Sequence, residues 1–147
     1  MKLSELLRGI PVLEAAVDME LDVTGVCYDS RAVQPGQMFV AVRGLAVDGH
    51  KFIPMAQEKG ATVVLCEKKP ASGAYVRVED TRAALALAAA NWYGRPADSM
   101  TMIGVTGTNG KTSITYLLKT VLEKTLGAKV GLIGTIQNMI GGEVMET

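Results

Sequence analysis

A short glycine-rich segment in the last third of the chain has the residue types of a phosphate-binding loop. It reads Gly107-Thr108-Asn109-Gly110-Lys111-Thr112 and is followed by Ser113. Glycines have no Cβ, so the backbone can curl with positive φ angles and point its N–H groups at phosphate oxygens. We therefore predict that residues 107–113 bind the phosphates of a nucleotide.

The two residues after the second glycine supply chemistry that backbone amides lack. The ammonium group of Lys111 is a mobile point charge for the β- and γ-phosphates, and the hydroxyl of Thr112 can complete the ligand shell of Mg²⁺. The segment departs from the strict P-loop pattern at Val105, where a glycine is usual. The alternative is a turn whose glycines only permit tight packing, but packing gives no reason for a lysine and a hydroxyl directly after them.

The surrounding elements place this loop between a buried strand and an amphipathic helix. Residues 100–105 form an apolar run that predicts a strand, and Gly127 ends a helix that starts near Lys111. The start of that helix would add unpaired amides and the positive end of its dipole. Residues 129–133 predict a further strand. The apolar stripe of the helix consists of Ile114, Leu117, Leu118, Val121, Leu122 and Leu126, and the residues predicted to point away from it are Lys119, Thr120, Glu123 and Lys124.

Upstream of residue 98, strand and helix signals alternate as in an α/β domain. The predicted strands cover residues 38–42, 61–66 and 74–78. A helix is predicted over residues 52–59, with Pro54 in its first turn and Gly60 as its stop signal.

A second helix is predicted to begin at a cap formed by Asp80 or Thr81 and to run to Trp92 and Tyr93, which we expect to pack in the core. The segment 94–99 then has the composition of a linker. The prediction is a small N-terminal α/β domain with a mixed sheet over residues 1–98. Residues 99–147 would form the first strand, P-loop, helix and strand of a truncated P-loop ATPase-like central domain.

The composition indicates a globular protein that holds anions by local geometry. Of 147 residues, 48% are hydrophobic and 20% are charged, and 15 basic residues balance 15 acidic ones. No large field exists to attract nucleic acid or an anionic membrane, so neither partner is expected. The apolar runs are too short for a signal peptide or a membrane span, and Cys27 and Cys66 lack metal or redox spacing. We expect a soluble cytoplasmic protein with buried reduced thiols; the sequence indicates no oligomeric state.

With its flanks, the loop resembles the ATP loop of the Mur ligase family, whose members add amino acids to the peptidoglycan precursor. The resembling stretch reads Gly-Val-Thr-Gly-Thr-Asn-Gly-Lys-Thr over residues 104–112 and includes the Val105 departure. Upstream segments resemble the N-terminal domain shared by the two late ligases, and downstream segments resemble the branch that adds the third amino acid. The upstream segments are Tyr28–Arg31, Val33–Gly36, Phe39–Ala41, Gly44 and Asp48–His50, and the downstream ones are Gly134–Ile136 and Gly141–Gly142.

This resemblance implies that the first domain binds the UDP end of the precursor, and that the second begins an ATP-binding domain. By this resemblance, the residues expected to contact the uridine-bearing end are Tyr28, Ser30, Leu45, Ala46 and Val47. The hydroxyl of Ser30 can bond uracil or ribose, whereas the apolar segment 45–47 would make contact through its backbone.

The resemblance also implies a reaction. ATP would convert the D-glutamate carboxylate of UDP-N-acetylmuramoyl-L-alanyl-D-glutamate into an acyl phosphate, which the amine of diaminopimelate or lysine then attacks. Lys111, Thr112 and Mg²⁺ would stabilise charge on the transferred phosphoryl group. A complete ligase core needs further strands, an acid for Mg²⁺ and an amino-acid site, so the chain alone is expected to be inactive.

Other functions stay open. The Mur ligase that adds D-alanyl-D-alanine shares both motifs, although it tends to have serine at the position of Thr108. A non-catalytic nucleotide- or sugar-binding module would use the same loop. Folylpolyglutamate synthetase is disfavoured because it usually has glycine at the position of Thr112 and lacks the Asp29–Arg31 segment.

Several polar residues near these motifs have a structural interpretation. Asp29 and Arg31 flank a turn and are expected to form an ion pair. Asp48 precedes a glycine and is expected to hold a turn. His50 has no second ligand candidate beside it, so we expect a capped or surface imidazole, not a metal ligand or a catalytic base.

Overall fold

The computed structural model describes residues 1–44 and 47–145. These residues divide into two compact units, Met1–Met100 and Thr101–Thr147. None of the described helices is long and apolar enough to cross a membrane.

The first unit is built on a five-stranded mixed sheet, which confirms the predicted α/β class. Its strand order is β1-β5-β4-β3-β2, with β2 to β5 parallel and β1 antiparallel to β5. The strands are β1 Val12–Ala16, β2 Val26–Cys27, β3 Met38–Val40, β4 Val63–Cys66 and β5 Tyr75–Val78.

The central strands are buried on both faces of the sheet. Along β3, Met38 and Val40 pack into one hydrophobic cluster, while Phe39 and the following Ala41 pack into the other. This alternation follows from the two-residue period of a strand. A strand buried on both sides appears in the sequence as a continuous apolar run, which explains why β3 and β4 could be predicted.

Helices cover both faces of this sheet. They are α1 Leu3–Leu6, α2 Ile53–Glu58 and α3 Thr81–Trp92, with 3₁₀ turns at Gly49–Phe52 and Pro96–Ser99. Leu3 and Leu6 of α1 and Ala84 and Ala88 of α3 join one cluster, and Ile53 and Ala56 of α2 join the other. The predicted stop of α2 is confirmed, since Gly60 has a positive φ angle, and Gly94 after α3 has one as well.

The predicted cap of α3 is confirmed at Asp80. Its Oδ1 accepts hydrogen bonds from the amides of Arg82 at 2.8 Å and Ala83 at 3.1 Å. Thr81 is instead the first helical residue and is fully buried, and its hydroxyl donates to Oε1 of Glu67 at 2.8 Å. The side-chain carboxylates of Asp80 and Glu67 therefore satisfy first-turn donors that the helix itself leaves unpaired.

A buried amide near the end of α3 connects distant parts of the first unit. Nδ2 of Asn91 donates to the carbonyl of Leu6, the last residue of α1, at 3.0 Å and to that of Arg8, two residues further on, at 2.8 Å. Its Oδ1 accepts from Nη1 of Arg95 at 3.1 Å. Arg95 has a φ of 55°, in the left-handed region. Asn91 thus joins the first helix to the segment that leaves the last one.

The two aromatic residues at the end of α3 differ in their environment. Trp92 packs against the core cluster, as predicted. Tyr93 is 75% exposed, so the prediction that it packs in the core is wrong. Tyr93 follows the last helical residue, where the chain turns away from the sheet, so helical spacing no longer determines which side it faces.

Both cysteines are free, and each is the last residue of a strand, Cys27 of β2 and Cys66 of β4. Cys66 is buried, and that burial raises the pKa of its thiol to about 11. The predicted buried, reduced state is therefore confirmed for Cys66, whereas Cys27 is only half-buried.

The second unit contains one long helix and a small antiparallel sheet. Its elements are α4 Lys111–Leu126, β6 Gly131–Leu132, β7 Asn138–Ile140 and β8 Glu143–Met145, with strand order β6-β7-β8. Gly127 ends α4 in the left-handed conformation, as predicted. The hairpin of β7 and β8 was not predicted, although Gly141-Gly142 between them is a turn signal.

The strand predicted over residues 100–105 is not formed among the described residues. Residues 100–104 are exposed, and none of the segment pairs with a described strand. The prediction is wrong because an apolar run becomes a strand only where a neighbouring strand satisfies its backbone groups.

The orientation of α4 also differs from the prediction. Leu117 and Leu126 of the apolar stripe are exposed, and so are Ile114 and Val121. Lys119, predicted to point away from the stripe, is only 8% exposed, and its ammonium group lies 2.7 Å from both carboxylate oxygens of Glu123. The periodicity identified the helix but not its most buried residue, because that residue is a lysine whose charge is paired within the helix.

Candidate functional site

The glycine-rich loop has the backbone geometry that its sequence predicts. Gly107 has a φ of 144° and Gly110 a φ of 76°, values at which a side chain is strained. Gly110 is left-handed and directly precedes α4. The loop therefore turns sharply into the first turn of a 16-residue helix.

The loop glycines are not required by packing within the described structure. A Cβ built on Gly110 would meet no atom within 4 Å, and one on Gly107 would meet only the carbonyl oxygen of Asn109, at 3.8 Å. The conformation of the backbone, not close contact, is what favours glycine at both positions. This observation counts against the alternative in which the glycines only permit tight packing.

The side chain of Lys111 folds back over the loop. Its Nζ donates to the carbonyl oxygen of Gly107 at 2.6 Å and lies 3.5 Å from that of Thr108. The loop itself is exposed, and Thr112 beside it is half-buried. Carbonyl oxygens are weaker partners for an ammonium group than phosphate oxygens, so a bound phosphate would compete well for Lys111.

The start of α4 leaves backbone donors available beside Lys111. The first backbone bond of the helix runs from the amide of Ile114 to the carbonyl of Gly110, at 2.9 Å. The amides of Lys111, Thr112 and Ser113 precede that bond and point out of the helix. Loop, ammonium group and helix start together form an arrangement that can hold an anionic phosphate chain.

The sequence-predicted uridine contacts lie at one edge of the sheet in the first unit. Tyr28 and Ser30 follow β2, and Val47 lies in the segment after β3, the parallel neighbour of β2. Tyr28 is 69% exposed and Val47 52% exposed, whereas Ser30 is 7% exposed. Leu45 and Ala46 lie outside the described residues. Parallel strands end at the same edge of a sheet, which is where α/β folds bind ligands.

Asp29 and Arg31 form the predicted ion pair. Nε of Arg31 donates to Oδ1 of Asp29 at 3.0 Å and Nη2 donates to Oδ2 at 2.8 Å, while the Arg31 amide also donates to Oδ1 at 2.9 Å. These hydrogen bonds, the side-chain ones first, lower the pKa of Asp29 to about 2. The pair spans a turn over residues 29–32 that contains the buried Ser30, so the expected ion pair is present.

Asp48 and His50 also have the structural roles that were expected. Oδ1 of Asp48 accepts from the His50 amide at 3.0 Å and lies 2.6 Å from its Nδ1. Nε2 of His50 accepts from the amide of Glu67 at 2.9 Å. Both ring nitrogens are engaged, and the described residues include no group of three His, Cys, Asp or Glu side chains that could hold a metal ion.

One feature near this edge was missed in the sequence. A groove of about 410 Å³ lies between α2 and the segment after β4. Lys51, Lys68 and Lys69 line it. The basic pair Lys68-Lys69 directly after a strand was a signal that could have drawn attention to it.

Comparison with protein families gives two matches along the chain. The Mur ligase family catalytic domain matches residues 22–93, and the Mur ligase middle domain matches residues 105–147. The two matches include the sheet edge described above and the phosphate loop.

Curated relatives match the whole chain. It is 45% identical over 150 residues to the UDP-N-acetylmuramoyl-L-alanyl-D-glutamate–2,6-diaminopimelate ligase of Caldanaerobacter subterraneus, covering 100% of this chain and 31% of that protein. It is 51% identical over 142 residues to the enzyme of the same name from Chlorobium phaeobacteroides, covering 92% of this chain and 28% of that protein. The chain thus spans about a third of the length of these relatives.

Solved structures agree in fold. A structure of a UDP-N-acetylmuramoyl-L-alanyl-D-glutamate–2,6-diaminopimelate ligase covers 98% of this chain and 29% of its own, with a TM-score of 0.76 and 24% identity. The MurF ligase of Thermotoga maritima in complex with ADP covers 72% of this chain and 25% of its own, with a TM-score of 0.53 and 32% identity.

Proposed function

This chain belongs to the Mur ligase family, and on that premise we propose that it is part of an ATP-dependent ligase that adds 2,6-diaminopimelate to UDP-N-acetylmuramoyl-L-alanyl-D-glutamate. The observation that carries the proposal is the 45% identity to a ligase of that name along the whole chain. The positive φ angles of the loop and the ammonium group folded over it support a role in binding ATP. A reaction between ATP and a nucleotide-linked precursor belongs in the cytoplasm.

The two units have different tasks in this proposal. The first unit binds the UDP end of the precursor at Tyr28, Ser30 and the segment 45–47. The second begins the ATP-binding domain, in which residues 107–113 hold the phosphates. The support for the first assignment is the position of Tyr28, Ser30 and Val47 beyond the carboxyl ends of β2 and β3.

The proposed reaction joins a carboxylate to an amine in two steps. A carboxylate oxygen of D-glutamate attacks the γ-phosphorus of ATP, and the bond to the β-phosphate oxygen breaks to release ADP. The amine of diaminopimelate then attacks the carbonyl carbon, loses a proton and expels inorganic phosphate with its electron pair. Activation is needed because a free carboxylate is a poor electrophile.

The residues of the loop stabilise charge during the first step. The ammonium group of Lys111 moves from the Gly107 carbonyl to the phosphate oxygens, and the first amides of α4 donate to the same chain of phosphates. The hydroxyl of Thr112 would join the oxygen ligands of Mg²⁺, which when bound would offset negative charge on the phosphates.

Calorimetric titration of this chain tests the proposal. We expect binding of UDP-N-acetylmuramoyl-L-alanyl-D-glutamate in preference to CDP-glucose, a preference that a general nucleotide-binding module would not show. Binding of Mg-ATP, lost on Lys111→Ala, would support the second assignment. Equal affinity for CDP-glucose and the precursor would contradict the assignment of the first unit to the uridine end.

The proposed amino acid is tested in a full-length ligase containing this chain. Product should form with diaminopimelate, and the D-alanyl-D-alanine-adding alternative would be supported by product with that dipeptide instead. The 147-residue chain alone should form no product with either.

A further inference from the structure

The groove beside His50 is built from segments that are fixed at both ends. On one side, Nε2 of His50 accepts the amide of Glu67, the first residue after β4. On the other, Nε2 of Gln57 on α2 donates to the carbonyl of Ser72 at 2.8 Å. The segment 67–72 is therefore held over α2, and the groove keeps its shape without a ligand.

The charges around this groove have one sign. Lys51, Lys68 and Lys69 line it, and no carboxylate is among its lining residues. Nζ of Lys69 lies 3.8 Å from a carboxylate oxygen of Glu14 and over the ring of Tyr75, so its charge is partly neutralised by groups outside the groove. Among the described residues, neither Lys51 nor Lys68 forms an ion pair, and both are exposed.

One carboxylate, that of Asp48, lies near the groove and attracts Lys68, but among the described residues it forms no ion pair with a lysine. His50 has both ring nitrogens engaged, and its side chain is largely buried. The carboxylate of Asp48 faces His50 and accepts two hydrogen bonds from it. The ammonium groups of Lys51 and Lys68 are thus the groups in the groove that remain available to an anion.

The groove lies at the same sheet edge as the proposed uridine contacts. Tyr28 and Ser30 follow β2, Val47 follows β3, and the groove segment 67–72 follows β4. These strands are successive parallel neighbours. Adjacent strands are about 4.8 Å apart, so the ends of β2 and β4 are separated by about 10 Å. A nucleoside diphosphate is long enough to extend along such an edge.

We propose that Lys51 and Lys68 bind the diphosphate of the nucleotide-linked precursor whose uridine end lies at Tyr28, Ser30 and Val47. This inference rests on the proposed function and adds two residues to the substrate site. Ammonium groups at the groove would select a diphosphate by charge, whereas the residues after β2 and β3 select the nucleoside.

The test compares a nucleoside, its diphosphate and the free anion. Uridine, UDP and inorganic pyrophosphate are titrated into the wild-type chain and into Lys51→Gln, Lys68→Gln and the double variant. The control is Lys124→Gln, which removes an exposed lysine of α4. We expect the double variant to weaken UDP binding by about tenfold and to leave uridine binding and the thermal unfolding midpoint unchanged. Lys124→Gln should match the wild type.

A second measurement needs no variant. Raising the salt concentration should weaken UDP binding to the wild type but not uridine binding. If the wild type binds UDP and the double variant binds it equally well, the inference is wrong while the proposed function stands. The inference is also wrong if the substitutions weaken the binding of pyrophosphate alone, because the groove would then take a free anion. If the wild type binds neither uridine nor UDP, the proposed function fails together with the inference.

Discussion

Lys111 in the phosphate loop and Arg31 beside the proposed uridine contacts differ in the strength of their hydrogen bonds. The ammonium group of Lys111 contacts neutral carbonyl oxygens of its own loop. Arg31 is instead bound through two nitrogens to the carboxylate of Asp29. A charge-assisted bidentate pair is stronger than a bond to a neutral acceptor, so Lys111 is the group that a phosphate can recruit.

Removing the Lys111 ammonium group should impair phosphoryl transfer more than precursor binding. In a full-length ligase containing this chain, Lys111→Ala is expected to lower kcat by on the order of 100-fold or more, as for other preorganised charge stabilisers. Affinity for the UDP-linked precursor should be unchanged, since that ligand is assigned to the first unit. Lys124→Ala on the same helix is the control, and normal turnover of the Lys111 variant would contradict the assignment.

The Asp29–Arg31 pair predicts a pH dependence. The folded-state pKa of Asp29 is lowered to about 2 from an ordinary value of 3.8, first by the side-chain hydrogen bonds from Arg31. The ionised carboxylate therefore favours the folded state. Its contribution is fully present above about pH 4 and is lost as the pH falls through about 2.

NMR titration of the Asp29 carboxyl group measures this effect directly. Arg31→Gln should raise the Asp29 pKa towards its ordinary value, while Arg8→Gln, elsewhere on the surface, should leave it unchanged. An unaltered Asp29 pKa in the Arg31 variant would show that the ion pair does not form in solution.

Among single residues, the sequence was informative where local chemistry decides the role. Asp29 and Asp48 bind groups two residues away, so their roles could be predicted from the nearby sequence. Tyr93 and Lys119 were wrongly placed because their exposure depends on what lies across from the helix. Lys51 and Lys68 were missed because the groove joins segments that are far apart in the chain.

At the scale of elements, α3 depends on a cap that can be tested by substitution. Asp80→Ala removes the acceptor for the amides of Arg82 and Ala83 and should reduce the free energy of unfolding by about 1 kcal/mol. Asp80→Asn keeps an acceptor oxygen and should retain most of that stability. Urea denaturation of both variants measures the difference, and equal loss from both would refute capping as the cause.

Prediction of the elements succeeded for strands and helices with strong local signals. The strands β3 and β4 are apolar on both faces, β5 is rich in β-branched and aromatic residues, and α3 combines a cap with an alanine-rich run. The edge strands β1 and β2 were not predicted. β1 is largely exposed, and β2 has only two residues. Residues 100–105 were predicted as a strand that is not formed among the described residues, because an apolar segment does not reveal whether a strand is available to pair with it.

At the scale of the whole molecule, the two units differ in how fully their apolar side chains are buried. Val40, Val64 and Leu65 in the first unit are completely buried. In the second, the apolar face of α4 is exposed at Ile114 and Leu117, among others. The sequence predicted a boundary near residue 98, and the assignment of the UDP precursor to one side and ATP to the other stays a prediction.

This contrast predicts different protection against amide exchange. In a dilute monomer, amides of β3 and β4 should exchange more slowly than those of α4, by on the order of 100-fold or more, since local opening of α4 exposes little additional apolar surface. Exchange detected by NMR measures each amide, and β5 serves as an internal reference for the sheet. Protection of α4 equal to that of the sheet would contradict this expectation.

The hydrogen bonds of Asn91 have a consequence for biosynthesis. Its partners, the carbonyls of Leu6 and Arg8, lie 85 and 83 residues earlier in the chain. During synthesis, α1 therefore leaves the ribosome long before Asn91, whose side chain binds the end of α1, has been made. Such distant closure favours late, concerted assembly of residues 1–98 over stepwise growth from the amino end. A nascent chain arrested before residue 91 should remain vulnerable to proteases at its very beginning.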